Sequence, residues 1–157
     1  MSSMQAEFPT FRPATPADWP TIETLLTEAG LPREGAHDHL AGFLVGEAGG
    51  AIVCAGALEH YGAAALLRSV VVVPDRQGSG IGGHLFDALK AIADARGIGK
   101  LYLLTTTAAT FFARRGFSED ARAAVPAAVL VSREFQGACP ASATLMSCSL
   151  RDLHRAA

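Results

Sequence analysis

The sequence predicts a mixed α/β domain built in three layers, and three observations lead to this fold class. The chain has 157 residues, of which 50% are apolar and 18% charged, enough for one domain with a hydrophobic core. Apolar residues follow a helical period near the N-terminus and then form short β-branched runs separated by glycines. A glycine-rich turn then leads into an amphipathic helix. We therefore treat residues 1–157 as a single domain.

The first half of the chain predicts helices followed by strands. Residues 1–9 are expected to be a loose lead-in, followed by a short strand over residues 11–13. A first helix is predicted from apolar residues at helical spacing, with a glycine after the last of them: Trp19, Ile22, Leu26, Ala29 and Gly30. A second, weaker helix is expected over residues 31–40. Three strands separated by glycines follow, over residues 43–47, 51–59 and 65–73.

The second half begins with the glycine-rich turn and a helix that has one apolar face. Leu85, Leu89 and Ile92 form this face, and Arg96 and Gly97 end the helix. The later elements are predicted from shorter patterns: a buried strand over residues 101–104, a helix over 107–114, a strand from Phe117, a helix after Pro126 and a last strand over 141–150.

Composition excludes several classes of protein. The formal net charge is -2 and no basic run is longer than Arg114-Arg115, which argues against nucleic-acid binding. Arg68 and Pro74 interrupt the longest apolar stretch, so a membrane span is not expected. The N-terminus lacks the order of a secretory signal, and three cysteines without C-x-x-C spacing argue against a disulfide framework. A cytoplasmic location is therefore expected.

The sharpest functional signal is the turn Gln77-Gly78-Ser79-Gly80-Ile81-Gly82-Gly83, between an apolar strand and a helix. Unpaired amides and the helix dipole favour an anion there, and glycines let a phosphate approach the main chain. Three ligands compete: a dinucleotide, the phosphates of a P-loop nucleotide, and the pyrophosphate of coenzyme A. A dinucleotide turn should follow the first strand of a βαβ unit, and a P-loop should contain Gly-Lys-Ser/Thr. Neither condition is met.

Two segments resemble the GNAT superfamily of N-acetyltransferases. Val71 to Pro74 followed by Gln77 to Gly82 resembles its Q/R-x-x-G-x-G signature, and residues 108–117 are similar to its A-x-x-F-Y-x-x-x-G-F segment. With the element order, the resemblance covers nearly the whole chain. It implies a GNAT-like acyl-CoA N-acyltransferase fold with a central, mostly antiparallel, splayed sheet. It also implies an N-acetyltransferase that uses acetyl-CoA as cosubstrate.

A narrower resemblance points to the arsenic-resistance-associated N-acetyltransferases. It rests on five short segments, at residues 58–62, 67–70, 103–107, 125–126 and 139–142. It implies a small amino-acid-like amine as acceptor, an arsenic- or phosphorus-containing glutamate analogue among them. Acetylation of a protein N-terminus or lysine remains an alternative, as does a catalytically silent acyl-CoA sensor. Homodimer formation is left open.

The superfamily resemblance also assigns residues to the cosubstrate. Its expected contacts are the backbone of Val71, Val72 and Val73, the turn residues Gln77, Gly78, Ser79, Gly80, Ile81, Gly82 and Gly83, and the side chains of Thr105 and Phe112. Thr105 stands where the family often has an asparagine that bonds pantetheine, although helix capping by one of the threonines 105–107 competes. Phe112 replaces the tyrosine that protonates the leaving thiolate in many relatives, so the general acid is unassigned.

Most candidates for proton transfer and acceptor binding come from the strands before the turn, and two, His84 and Arg122, follow it. Glu59 and His60 are the expected catalytic residues, with His84 a further candidate base and a solvated strand end the alternative. Arg68 is the only charge in residues 63–73, and it is expected either to bind the acceptor's anionic group or to pair with Glu59. Ser69 and Arg122 complete the expected acceptor contacts. The His37-Asp38-His39 segment lacks a dependable third ligand, so no metal is expected.

Overall fold

The computed structural model describes residues 8–150, so most of the predicted lead-in lies outside the described part of the chain. Its elements in chain order are β1 (Thr10–Pro13), α1 (Trp19–Glu28), β2 (Phe43–Ala48), β3 (Ala51–Tyr61), β4 (Ala64–Val72), α2 (Ile81–Ala95), β5 (Lys100–Thr105), α3 (Ala109–Ala113), β6 (Ser118–Glu119), α4 (Ala127–Leu130) and β7 (Thr144–Ser149). The strand order is β1-β2-β3-β4-β5-β7-β6, in a mixed and mostly antiparallel sheet. The predicted fold class is confirmed.

The chain divides into two compact units, of which the first comprises the described residues up to 57 and residues 69–91. In this unit β1 pairs with β2 and β2 with β3, both antiparallel. Ile22 and Leu26 of α1 are buried with Phe43, Val45 and Ala55 of the strands. This apolar face matches the helical spacing in the sequence, and its burial stabilises α1.

Helix α2 packs closely on β3 because Gly56 has no side chain. A Cβ on Gly56 would lie 2.8 Å from Leu89 Cδ1, closer than two carbons can pack, and 3.6 Å from Leu85 Cδ2. Both leucines are buried. The apolar face of α2 is thereby fixed on β3, which also fixes the start of α2 and the glycine-rich turn that precedes it.

The second unit comprises residues 58–68 and the described residues from 92 onward. In it β5 pairs antiparallel with β7 over six residue pairs, and β7 pairs with β6. The parallel pairing of β4 with β5 covers three pairs, Ala64 with Lys100 through Leu66 with Tyr102. The buried residues Leu66, Tyr102, Val129 and Leu145 belong to one apolar cluster.

Two local predictions need correction, and a third is confirmed with added detail. Residues 31–40 hold no α-helix: a 3₁₀ segment spans His37–Gly42, because Gly35 adopts a positive φ of 78° and breaks the chain direction. The strand from Phe117 is reduced to β6, with two residues. The tail after Ala121 contains α4 as expected, but also a 3₁₀ turn at Arg122–Ala124 and a π-type turn at Glu134–Ala138. None of the helices in residues 8–150 is long and apolar enough to cross a membrane.

Candidate active site

The glycine-rich turn of the first unit leaves its backbone amides exposed. Gly78 and Gly80 adopt positive φ values of 81° and 90°, and residues 77–80 are exposed. Within the described residues, no backbone carbonyl accepts a hydrogen bond from the amides of residues 78–80. The first amides of α2 also lack partners within the helix. The turn therefore presents a row of free N–H groups at the positive end of a 15-residue helix.

Side chains within the same segment stabilise this conformation. Gln77 Nε2 donates to the Val72 carbonyl at 2.9 Å, and Ser79 Oγ donates to the Arg76 carbonyl. A Cβ on Gly78 would meet no atom within 4 Å, so the space in front of that residue is open. The open space in front of Gly78 fits a pyrophosphate group, and the Phe8 ring borders the turn at Gly80, 3.8 Å from where a Cβ of that residue would lie. The turn can therefore hold the pyrophosphate of an acyl-coenzyme A.

Ser69 has an unusual backbone in the middle of β4. Its φ is +60°, and it is the only residue other than glycine with positive φ in residues 8–150. It is also buried, with 7% of its surface exposed. A buried L-residue in this region stores strain, and such strain is concentrated at functional sites.

The second unit holds a cluster of three buried charged side chains with three polar neighbours, of which Tyr61 and Cys139 are half-buried. We call it the Arg68 cluster: Glu59, Tyr61, Arg68, Ser132, Glu134 and Cys139. Arg68 Nη1 donates to Glu59 Oε2 at 2.8 Å, and both side chains are fully buried. Arg68 Nε lies 3.4 Å from Glu134 Oε2, and the side chain of Glu134 is 4% exposed. Two carboxylates thus share one guanidinium.

Hydrogen bonds connect the remaining members of the Arg68 cluster to Glu59 and Glu134. The Tyr61 hydroxyl donates to Glu59 Oε1, and the Glu134 amide donates to Ser132 Oγ at 3.2 Å. The Cys139 thiol hydrogen-bonds to Glu134. Burial, aided by the charge of Glu59, raises the pKa of Glu134 to about 7, and burial with the nearby Glu134 raises the pKa of Cys139 to about 12. Glu134 can therefore change protonation near neutral pH, whereas Cys139 stays a thiol.

The predicted catalytic pair, Glu59 and His60, is not brought together. Glu59 is fully buried and His60 is exposed, because neighbouring residues of a strand point to opposite faces. The pairing of Glu59 with Arg68 is confirmed, and the acceptor contacts proposed for Arg68 and Ser69 stay predictions. Arg122 is exposed, with its guanidinium carbon 5.6 Å from the centre of the Phe135 ring. His84 is also exposed, against Phe8.

Thr105 and Phe112 lie in the second unit, Thr105 at the end of β5 and Phe112 within α3. Thr105 Oγ1 accepts a hydrogen bond from the Ala108 amide at 2.9 Å, which closes the turn before α3. The N-cap residue of α3 is Ala108, so none of the threonines 105–107 occupies the N-cap position. Phe112 is 6% exposed, and its ring centre lies 5.1 Å from that of Phe111 and 5.6 Å from that of Phe117. These contacts show that the Phe112 ring packs against two neighbouring aromatic rings.

Sequence reasoning missed Glu134, Tyr61 and Cys139. One signal marks Glu134 without placing it: it is the only acidic residue in residues 121–150, a stretch that also contains Arg122 and Arg133, whereas Arg68 is the only charge in residues 63–73. A lone charge in an apolar stretch is expected to pair with an opposite charge, because it is costly to bury alone, but the sequence does not select Glu134 as the partner. Tyr61 and Cys139 carry no comparable pattern.

The fold and the open glycine turn define an acyl-coenzyme A transferase class of domain, and comparison with known proteins agrees. The family model described as "Acetyltransferase (GNAT) domain" matches residues 39–119, just over half of the chain. The chain therefore belongs to the GNAT acetyltransferase family. The predicted class of enzyme, an acetyl-CoA-dependent acyltransferase domain, is confirmed by this match.

Solved structures share the fold over most of the chain. N-acetylglutamate synthase from Neisseria gonorrhoeae, complexed with coenzyme A and N-acetyl-glutamate, is 25% identical with a TM-score of 0.79, covering 92% of this chain and 35% of that one. Rv2747 from Mycobacterium tuberculosis, in complex with CoA, is 24% identical with a TM-score of 0.74, covering 90% and 99%. A GNAT acetyltransferase from Staphylococcus aureus Mu50 is 16% identical with a TM-score of 0.73, covering 90% and 98%. The chain spans about a third of the N-acetylglutamate synthase chain.

Proposed function

We propose that this protein is an N-acetyltransferase that moves an acetyl group from acetyl-CoA to the amino group of a small amino-acid-like substrate. The observation that carries the proposal is the open turn at residues 77–83, whose free amides suit a pyrophosphate in a chain of the GNAT family. We further propose that residues 1–157 act as one acetyltransferase domain and that the protein is cytoplasmic.

The acceptor class is proposed from two lines of support. The N-acetylglutamate synthase that this chain resembles was solved with N-acetyl-glutamate, the acetylated form of an amino acid. The short segments similar to arsenic-resistance-associated N-acetyltransferases favour an arsenic- or phosphorus-containing glutamate analogue. Such analogues share an anionic side chain and an α-amino group, so one site can take glutamate-like acceptors as a class.

The proposed contacts of acetyl-CoA begin in the first unit. The amides of residues 77–83 hold its pyrophosphate, and the backbone of residues 71–73 bonds its pantetheine arm. The Val72 carbonyl already accepts from Gln77, and the Val73 amide and carbonyl are bonded to Val53 and Arg76, so the main-chain groups of Val71 and the Val72 amide are left to supply these bonds. In the second unit, the Thr105 hydroxyl contacts pantetheine and the Phe112 ring packs beside it. When bound, acetyl-CoA supplies an activated thioester.

The acceptor's amine must lose a proton before it attacks, and two residues are proposed to accept that proton. Glu59 is a carboxylate, and His60 is an imidazole whose exposed position suits exchange with solvent. Because Glu59 is fully buried, a proton reaches it through the hydrogen bond from Tyr61. With Phe112 unable to donate, the thiolate leaves unassisted or takes its proton from water.

Binding of the acceptor's anionic group is proposed at Arg68, with Ser69 and Arg122 as further proposed contacts. Arg68 Nη1 stays on Glu59, and the longer contact of 3.4 Å to Glu134 is the one that an incoming anion replaces. Burial raises the pKa of Glu134 to about 7, so this carboxyl can take up a proton when it loses the guanidinium. A planar guanidinium then offers the anion a bidentate contact.

Calorimetry with acetyl-CoA, combined with a free-thiol assay over an amine panel, tests the proposal. The panel contains glutamate, its phosphinate and arsinate analogues, a peptide with a free N-terminus and a lysine peptide. Acetyl-CoA binding with thiol release on the amino acids is expected. Release with the peptides alone would identify a protein acetyltransferase, binding without release would identify an acyl-CoA sensor, and no binding would contradict the whole proposal.

A further inference from the structure

Arg115 follows α3 and carries a hydrogen-bond donor that the fold leaves unused. Its Nε is buried without a hydrogen-bond partner, the only buried side-chain nitrogen or oxygen in this condition within residues 8–150. In the same part of the chain, Arg115 takes part in no ion pair. A buried donor of a charged group left without a partner costs free energy, so such atoms are rare in folded proteins and call for an explanation.

Arg115 is half-buried, its backbone is held by hydrogen bonds, and its guanidinium lies near an aromatic ring. The Arg115 amide donates to the Phe112 carbonyl at 2.9 Å, and the Phe117 amide donates to the same carbonyl at 3.1 Å. Gly116, between them, turns the chain with a φ of 99°. The guanidinium carbon lies 4.7 Å from the centre of the Phe111 ring. Stacking on an aromatic ring orients the planar group and leaves its N–H edges for hydrogen bonds.

We infer that Arg115 binds an oxyanion of one of the two substrates, through Nε and a neighbouring Nη. The ligand chemistry is a phosphate or carboxylate oxygen pair, which matches the fork of a guanidinium. The source is either a phosphate of acetyl-CoA or the anionic group of the acceptor. This inference rests on the proposed function, and it explains why a donor is buried, oriented and left without a protein partner.

The test compares Arg115→Met with Arg114→Met, because Arg114 is the neighbouring exposed arginine and methionine keeps an unbranched apolar stem. Calorimetry measures Kd for acetyl-CoA and for its 3′-dephospho form, and kinetics measure KM for an anionic acceptor and its amide analogue. If the source is the 3′-phosphate, Arg115→Met weakens acetyl-CoA about tenfold and leaves the dephospho form unchanged. If it is the pyrophosphate, both forms weaken. If it is the acceptor, KM rises about tenfold for the anionic substrate alone.

Thermal unfolding separates this role from a structural one. Because the donor has no partner in the ligand-free fold, Arg115→Met is expected to keep or raise the Tm of the free protein and to reduce the rise in Tm that the ligand causes. Arg115→Lys, which keeps the charge without the fork, is expected to retain part of the affinity. Equal constants for the two methionine variants with every ligand, or a lower Tm with unchanged constants, would overturn the inference alone. A parent protein that binds no acetyl-CoA would overturn the proposed function with it.

Discussion

Arg68 on β4 and Glu59 on β3 form an ion pair of 2.8 Å in which neither side chain has exposed surface. Such a pair gains little over apolar residues of the same size, because both charges lose their hydration. Breaking it is different, since one charge then stays buried without its partner. The free energy of unfolding should therefore fall when either Glu59 or Arg68 alone is replaced.

Glu59→Ala is the first prediction. It leaves the Arg68 guanidinium with the longer Glu134 contact, and we expect the free energy of unfolding to fall by about 3 kcal/mol. Urea denaturation of the variant beside Glu119→Ala, which removes an exposed glutamate of β6, measures the loss. A loss no larger than that of the control would contradict a structural role for the pair.

Arg68→Lys separates the structural role from the proposed acceptor contact. Lysine keeps one charge but cannot hold two carboxylates in a plane, so the Tm should fall. If Arg68 also binds the acceptor, kcat/KM for an anionic acceptor should fall, and the fall should correspond to a loss of transition-state stabilisation on the order of 1–3 kcal/mol. The loss for the amide analogue of that acceptor should be much smaller. Equal losses for both acceptors would leave Arg68 with its structural role.

Burial gives Glu134 a pH-dependent contribution to stability. Its pKa is raised from 4.5 to about 7, so the folded protein binds more protons than the unfolded chain between these values. The stabilisation is complete below pH 4.5 and is lost as the pH rises through 7, an effect on the order of 3 kcal/mol. Urea denaturation from pH 4.5 to 8 should show this loss.

Glu134→Gln isolates that contribution, because glutamine does not titrate. The stability difference between parent and variant should change with pH across the interval from 4.5 to 7. The titration of Asp18 does not overlap this pH interval, because its hydrogen bonds with Arg12 lower the pKa of that carboxyl below its ordinary value of 3.8. Parallel curves for parent and variant would show that Glu134 keeps an ordinary pKa in the folded protein.

The parts of this molecule that are predictable from the sequence depend on local pattern. The turn at residues 77–83 is one such part, because the spacing of its glycines alone predicts exposed backbone amides. The Glu59–Arg68 pair is another, because the two residues lie on consecutive strands. Glu134 could not be placed, since it reaches Arg68 from a π-type turn near the end of the chain. The prediction of a helix over residues 31–40 is wrong because it rests on the spacing of apolar residues and neglects Gly35, whose positive φ prevents a helix.

Phe112 is predicted to stabilise the fold more than it serves the chemistry. Its ring packs between Phe111 and Phe117, so Phe112→Leu should lose on the order of 1–2 kcal/mol of stability through poorer packing. Phe112→Tyr should keep activity. Urea denaturation and single-turnover rates measured on the same samples provide the comparison. A stable Phe112→Leu protein with a collapsed single-turnover rate would contradict the packing role.

Gly82→Asp should separate coenzyme binding from folding. Gly82 lies in the first turn of α2 and its φ is not positive, so an aspartate fits the backbone there. An acidic residue in the first turn favours the helix dipole, and replacing a helical glycine lowers the entropy of the unfolded chain. We therefore expect unchanged or higher stability. The same carboxylate repels a pyrophosphate at the turn, so calorimetry should detect no acetyl-CoA binding, while Gly82→Ala, which adds no charge, should still bind. Tight acetyl-CoA binding by a folded Gly82→Asp protein would show that the pyrophosphate does not bind at this turn.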